Sequence, residues 1–211
     1  MIIIKSIKGI RKFVKKIKKE NRTIGFVPTM GSLHEGHLSL IRKAKKLTDI
    51  VIVSIFVNPT QFGTGEDYGK YPRDLKGDKI KAKKAGADVI FNPTISAMYP
   101  SNYCTYVEVE RLTLPLCGAH RPGHFKGVTT VVSKLFNIIQ PDIAFFGQKD
   151  AQQAIIIKRM TKDLNWDIKI KILPTIRKKN GLAMSSRNKY LSKKEREKAS
   201  IIYKSLKKAK K

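Results

Sequence analysis

Ile10, Phe13, Val14 and Ile17 recur at helical spacing between basic residues, which predicts an amphipathic first helix with a lysine-covered outer face. The run Ile50–Phe56 is apolar and β-branched at almost every position and falls far short of the roughly 20 residues that cross a bilayer, so it predicts a buried strand. Shorter runs predict strands at Thr23–Val27, Asp88–Phe91 and Ile143–Phe146. Helical periodicity predicts helices over Gly36–Leu47, Leu75–Ala85 and Val128–Ile139 and onward from Ala151, with Leu40, Ile41, Ala44 and Leu47 as the inner stripe of the first of these. Strands alternating with helices imply an α/β class, a parallel sheet covered on both faces, in which ligands bind outside the carboxyl ends of the strands. The loop Pro28–Glu35 after the strand at Thr23–Val27 is therefore the first place to look for chemistry.

A chain of 211 residues with 41% hydrophobic content can bury one sizeable core and carry a small appendage. Pro141-Asp142 and Pro174-Thr175 punctuate the later units, a boundary is expected near Asn180-Gly181, and a charge-rich segment runs from Lys193 to Lys211. The formal charge of +28 suits a polyanion partner. Lysine is, however, spread over nearly every surface helix together with abundant isoleucine, as an AT-biased coding sequence also produces, and neither an RNP-like aromatic motif nor finger spacing accompanies it. No specific nucleic-acid partner and no membrane is expected. With two cysteines and Met1–Ile4 cut off by Lys5 before a signal-peptide core can form, the expected compartment is the reducing cytoplasm.

His34 and His37 stand three apart at the predicted loop-to-helix junction. A helix N-terminus carries about half a positive charge, Gly36 removes a side chain that would block close approach, and imidazoles donate to phosphate oxygens, so the arrangement suits a triphosphate. A zinc-protease helix would need histidines four apart, and only Gly36 separates Glu35 from His37. A zinc set of Cys104, Cys117, His120 and His124 lacks the close cysteine pair of a finger.

His34-Glu35-Gly36-His37 and Met184-Ser185-Ser186-Arg187 resemble the two signatures of the nucleotidyltransferases and class I synthetases. Phe26–Gly31, Phe56–Phe62, Tyr71–Asp74, Arg121–Phe125 and Phe146–Asp150, in that order, narrow the resemblance to the pantothenate synthetase family over nearly the whole chain. The resemblance implies a Rossmann-like, doubly wound parallel sheet over residues 1–182 that binds ATP and pantoate. Residues 183–211 would be the start of a small C-terminal lid domain, most of which is absent. It implies an AMP-forming ligase that condenses pantoate with β-alanine through a pantoyl adenylate, in pantothenate and coenzyme A biosynthesis.

Carried over residue by residue, His34 and His37 would hold the phosphates, with His37 as proton donor, while Lys149, Ser185, Ser186 and Arg187 would grip the triphosphate from the other side. Arg187 stands where relatives carry lysine, and a guanidinium keeps the charge and adds bidentate bonding. Met30, Gly31, Ser32, Leu33, Glu35, Gly36, Gly147, Gln148, Ile176 and Met184 complete the expected nucleotide site, with Asp150 on the ribose. Gln61 and Gln153 would bind pantoate. Mg2+ would accompany ATP with Asp78 as a contact, His124 would line the pocket beside Arg121, and His120 would be exposed. A homodimer through the larger domain is implied.

Two departures stand out. Arg177-Lys178-Lys179-Asn180-Gly181 is basic where the family carries acidic residues, and the missing lid would leave the adenylate open to hydrolysis and reduce activity. Two alternatives remain: a nucleotidyltransferase of the same superfamily, which would yield a stable nucleotidyl product, and a shortened, catalytically impaired copy that binds RNA through its basic surface with steep salt dependence.

Overall fold

The computed structural model describes residues 1–209; Lys210 and Lys211, the last two of the expected charged segment and of the 183–211 unit, lie outside the described residues. Six parallel strands form one sheet in the order β1-β4-β3-β2-β5-β6: β1 (Ile2–Ile4), β2 (Ile24–Thr29), β3 (Ile50–Ile55), β4 (Val89–Phe91), β5 (Ile143–Gly147) and β6 (Lys169–Leu173). The helices are α1 (Ile7–Lys19), α2 (Glu35–Lys45), α3 (Leu75–Ala85), α4 (Ile95–Met98), α5 (Cys117–His120), α6 (His124–Ile139), α7 (Ala151–Asp163), α8 (Lys193–Lys198) and α9 (Ile201–Ala209). The α/β expectation holds, and the four expected strands and the helices between them fall within a few residues of their predicted places. Two strands escaped the reading. β1 is three residues long, and β6 alternates lysine with isoleucine as an edge strand does, with only partial burial.

Because successive strand residues face opposite ways, the sheet sorts its apolar side chains onto two cores. Ile50, Ile52 and Phe56 join Ile10, Val14 and Ile17 of α1, Val128, Val132 and Leu135 of α6 and Ile157 of α7. Val51, Val53 and Ile55 join Leu40, Ile41 and Ala44 of α2 and Ala82 and Ala85 of α3. Continuous apolar runs such as Ile50–Ile55, buried at every position, are what a strand covered on both faces needs. Leu47 does not belong to the inner stripe: α2 stops at Lys45, and Leu47, beyond its last turn, is exposed.

Local chemistry sets the element ends. The Ser6 hydroxyl accepts from the Gly9 N–H to start α1, the Asp74 carboxylate accepts from the Gly77 N–H to start α3, and Gly86 closes α3 at φ 102°. From β2 the chain winds outward through β3 to β4, then returns to lay β5 on the other side of β2. The two halves part there. β2 pairs with β3 along all six residues but with β5 only at Gly25–Ile143 and Phe26–Ala144, so the carboxyl ends of β2 and β5 diverge and open a crevice at the topological switch point.

α6 forms the wall of this crevice and sits unusually close to the loop after β3. Gly127 packs directly on the peptide between Thr60 and Gln61, and the Asn58 side-chain amide donates to the Gly127 carbonyl at 3.1 Å. Past β6, a single antiparallel bridge joins Arg177 to Ala183 across the Asn180-Gly181 turn where a boundary was expected, and the following segment returns over the crevice.

A methyl group at Gly127 would overlap the Thr60 carbonyl, which is backbone and cannot rotate away. Gly127→Ala is therefore expected to destabilise the fold by about 1–3 kcal/mol through overpacking. Urea unfolding checks this, and a midpoint equal to that of the parent would refute the close approach.

Candidate active site

The crevice encloses about 240 Å³ between the carboxyl ends of β2 and β5 and the segment Met184–Arg187. Val128, Val131, Val132 and Leu135 of α6, with Phe146 of β5, give it an apolar floor. His34, His37, Lys149 and Arg187 line its basic side, and Gln61 and Gln153 also face it. The site thus offers an apolar recess beside a cationic one.

The two imidazoles stack with ring centroids 4.1 Å apart. The His34 backbone N–H donates to His37 Nδ1 at 3.3 Å, so the neutral His37 ring carries its proton on Nε2. Burial lowers the His37 pKa to about 3, helped by His34 and Lys149; burial also lowers that of His34 to about 4, with Lys149 adding to it. His34 Nδ1 is buried without a hydrogen-bond partner. Gly36 has a local task that its sequence position did not reveal: a Cβ there would stand 2.9 Å from the His34 ring, so glycine is what lets the ring fold back over the start of α2.

Of the expected nucleotide residues, Met30, His34, Gly36, His37, Gly147 and Lys149 line the crevice on one side, and Asp150, Ile176, Met184, Ser185, Ser186 and Arg187 complete it. Gly31, Ser32, Leu33, Glu35 and Gln148 do not. The Gly31 N–H is taken by the Thr29 hydroxyl, and those of Ser32 and Leu33 donate to the two oxygens of Asp78 at 2.7 and 2.6 Å. The Glu35 carboxylate turns outward to Arg42, and Gln148 is exposed.

Asp78, expected as a magnesium contact, is fully buried with both oxygens engaged by these backbone donors, and burial raises its pKa. It anchors the loop instead. Among the described residues no group of three or more His, Cys, Asp or Glu side chains is placed to hold a metal ion. Cys104 and His120 are exposed, apart from any such cluster.

The segment after β6 is fastened to this frame. The Ser186 hydroxyl donates to the Ser32 carbonyl at 3.0 Å, closing the crevice across the sheet. Arg187 is paired: its Nε and Nη2 donate to Asp67 Oδ2 and Oδ1 at 2.8 and 2.6 Å, and the Tyr190 hydroxyl donates to the same carboxylate. The Arg187 hydrogen bonds hold the Asp67 carboxyl down to about 2. Arg121 makes a matching pair with Glu66, and its Nη1 lies 3.0 Å from His124 Nε2, so Arg121 and His124 do line the pocket together. Glu66 and Asp67 were missed because both contacts span more than fifty residues of sequence. Tyr71 and Asn58, also on the lining, lay in quoted motif blocks without a role having been assigned to them.

The pattern of the pantoate-β-alanine ligase family matches residues 2–211. The pantothenate synthetase of Pelotomaculum thermopropionicum is 59% identical over 209 residues, covering 99% of this chain and 74% of the relative; that of Caldicellulosiruptor saccharolyticus is 57% identical over 210 residues, covering 100% and 75%. A crystal structure of the Thermus thermophilus pantothenate synthetase superposes with a TM-score of 0.94 at 46% identity, covering 98% of this chain and 73% of that one. The Francisella tularensis pantoate-β-alanine ligase, solved with β,γ-ATP and β-alanine, superposes at 0.93 with 45% identity over 98% and 79%.

The histidine pair gives a pH dependence of known sign. Both imidazoles are neutral when folded and return to an ordinary value near 6.5 on unfolding, so below about pH 6.5 the unfolded chain binds more protons. The stability they contribute is complete above that pH and is lost as pH falls toward 4 and then 3. In NMR titrations His34 and His37 are expected to remain neutral at pH 5.5; protonation of either with a midpoint above 6 would contradict the burial.

Proposed function

The chain belongs to the pantoate-β-alanine ligase family, and we propose that it joins pantoate to β-alanine at the crevice between β2 and β5, with ATP converted to AMP and pyrophosphate. The observation that carries this assignment of the site is that one cavity is lined by the His34–His37 pair, Lys149 and Ser185–Arg187 together with an apolar stretch of α6 and the amides of Gln61 and Gln153. The cationic end suits the triphosphate, and the apolar floor with two neutral amides suits a small branched hydroxy acid.

A pantoate carboxylate oxygen forms the bond to the α-phosphorus as the bond from that phosphorus to the leaving pyrophosphate breaks. The β-alanine amine then bonds to the acyl carbon and AMP departs. These steps need alignment and fixed donors rather than a protein nucleophile. His37, with its proton on Nε2, donates to phosphate oxygen as negative charge grows on the leaving group. Lys149 stands close enough to both imidazoles to lower their pKa and supplies the permanent charge that they lack at neutral pH. Asp150 beside Lys149 serves the ribose, and Met30 and Ile176 flank the nucleotide.

Asp67 engages only Nε and Nη2 of Arg187, so the guanidinium keeps its Nη1 donors for phosphate while the carboxylate holds it in place. Mg2+ enters on the ATP phosphates; Asp78 is not among its ligands in this reading, since its oxygens are occupied.

We further assign the chain to a homodimer and to the cytoplasm. Leu114, Leu116 and Ile155 are each more than half exposed, and the loop that bears the two leucines is tied to α7 by Gln152, whose side chain bonds to Leu112, Pro115 and Cys117 backbone groups. That apolar patch supports self-association. No helix among the described residues is long and apolar enough to cross a membrane. Neither the nucleotidyl-transfer nor the RNA-binding alternative is favoured beside relatives of this identity.

Purified protein given ATP, Mg2+, pantoate and β-alanine is expected to form AMP and pantothenate in equal amounts, with His37→Ala slower by on the order of a hundredfold. Unchanged turnover in that variant, or a stable nucleotidyl product, would refute the reading. Sedimentation velocity at micromolar concentration is expected to give a dimer, and a single monomer boundary would count against it.

A further inference from the structure

Glu66 lies outside the histidine and Met-Ser-Ser-Arg signatures, yet it reaches the acid-binding end of the crevice through two other side chains. Its Oε1 accepts from Arg121 Nε and its Oε2 from Arg121 Nη2, each at 2.7 Å, a bidentate pair with both side chains three-quarters covered. Arg121 Nη1 then lies 3.0 Å from His124 Nε2. A guanidinium can only donate, so His124 Nε2 accepts and the neutral ring carries its proton on Nδ1. That atom is 2.8 Å from the Gln61 carbonyl oxygen, which can only accept. Both neighbours therefore demand the same tautomer. His124 is buried, and burial with the Arg121 charge beyond it lowers its pKa, in keeping with a neutral ring.

The held carbonyl belongs to the turn Pro59–Gln61. Within it the Gln61 amide is pre-aimed: its Oε1 accepts from Asn58 Nδ2 at 3.1 Å, while its Nε2 touches the Met30 sulfur at 3.3 Å, a weak acceptor that a substrate oxygen would displace readily.

We propose that Glu66 is a positioning residue for the acid substrate: it fixes Arg121, Arg121 holds His124 at Nε2 in the Nδ1–H tautomer that the Gln61 carbonyl also requires, and His124 fixes the turn from which Gln61 meets the substrate. This rests on the reading of Gln61 as a pantoate contact. Removing the carboxylate frees Arg121 to rotate, leaves the ring without its obligatory donor, and loosens the turn at the acid end while the nucleotide end keeps its own anchors.

Glu66→Ala is expected to raise KM for pantoate about tenfold and to leave kcat and KM for ATP within about twofold. Glu66→Gln keeps the shape and one acceptor and should fall between Glu66→Ala and the parent, which keeps the comparison usable if the alanine variant folds poorly. Nitrogen-15 NMR of the His124 ring is expected to show Nδ1–H in parent and variants alike, since the Gln61 carbonyl holds that proton, with the unprotonated Nε2 shifting downfield in the variants as its hydrogen bond from Arg121 is lost, a change that mere loosening of the fold would not produce. An unshifted Nε2 in both variants overturns the relay, and so does a shifted Nε2 without a rise in the pantoate KM or with an equal rise for ATP. Absence of pantoate turnover in the parent sinks the substrate reading instead, and the Nε2 signal, measured without substrate, still judges the relay.

Discussion

The Asp78 carboxylate accepts from the backbone N–H groups of Ser32 and Leu33, and the placing of the His34–His37 pair and of the Ser186 segment against it follows from that contact. Burying a carboxylate is costly, and burial does raise its pKa, but each hydrogen bond to a charged group returns roughly 1.5–3 kcal/mol and two are made here. The geometry is demanding. Gly31 and Ser32 both sit at positive φ, 84° and 49°, and a side chain on Gly31 would press on Asp78 and Ile55 at 3.0 Å. This tight turn ends β2 and delivers His34 as the first residue before α2. The Ser32 carbonyl, held by the same turn, receives the Ser186 hydroxyl, so one anchor on α3 fixes both walls that face the phosphates.

Acidic residues are scarce in a chain with 44 Lys and Arg against 16 Asp and Glu, which makes their placement informative. Asp49, Asp88 and Asp142 accept backbone N–H groups at the amino ends of the strands, where Thr23, Val51 and Ile24 begin pairing. Glu66 and Asp67, adjacent in sequence, each hold one of the arginines that line the crevice. Much of the lysine surplus is left on outer helix faces, and Arg11, Lys15, Lys18 and Lys19 of α1 line a groove of their own beside Asn137 and Gln140. Inside the site, the charge is ordered by these few carboxylates.

The fold was legible where burial is complete. A strand buried on both faces, such as Ile50–Ile55, is apolar at nearly every position, with Ser54 the exception, and can be read without knowing its neighbours. β6 was not, because Lys169-Ile170-Lys171-Ile172 alternates across an edge and carries too little apolar weight to be distinguished from a loop. The site divides the same way. His34 and His37 were legible from the loop-to-helix junction that carries them, whereas Lys149 and the Ser185–Arg187 segment were reached only through the motif blocks of the resemblance. The engagement of Ser32 and Leu33 was not legible, because a glycine-bearing turn before a helix offers free N–H groups to phosphate unless something else accepts them, and here Asp78, some forty-five residues away, does, while the Gly31 N–H goes to the nearby Thr29 hydroxyl. The carboxylates on Arg121 and Arg187 belong to the same kind of information: a pairing decided by packing and invisible along the chain.

These long-range pairings also explain how the crevice manages charge before substrate arrives. Neutral imidazoles leave Lys149 as the principal fixed cation at the phosphate side, with its charge partly balanced by Asp150 at 2.9 Å, while Arg187 is balanced by Asp67. An empty site with three or four unpaired cations around 240 Å³ would repel itself and weaken the fold. With the cations paired or discharged, the resting structure is electrostatically quiet. An incoming triphosphate then meets Lys149 and the remaining donors of Arg187 and draws protons toward His34 and His37, so positive charge at the site grows when there is an anion to hold.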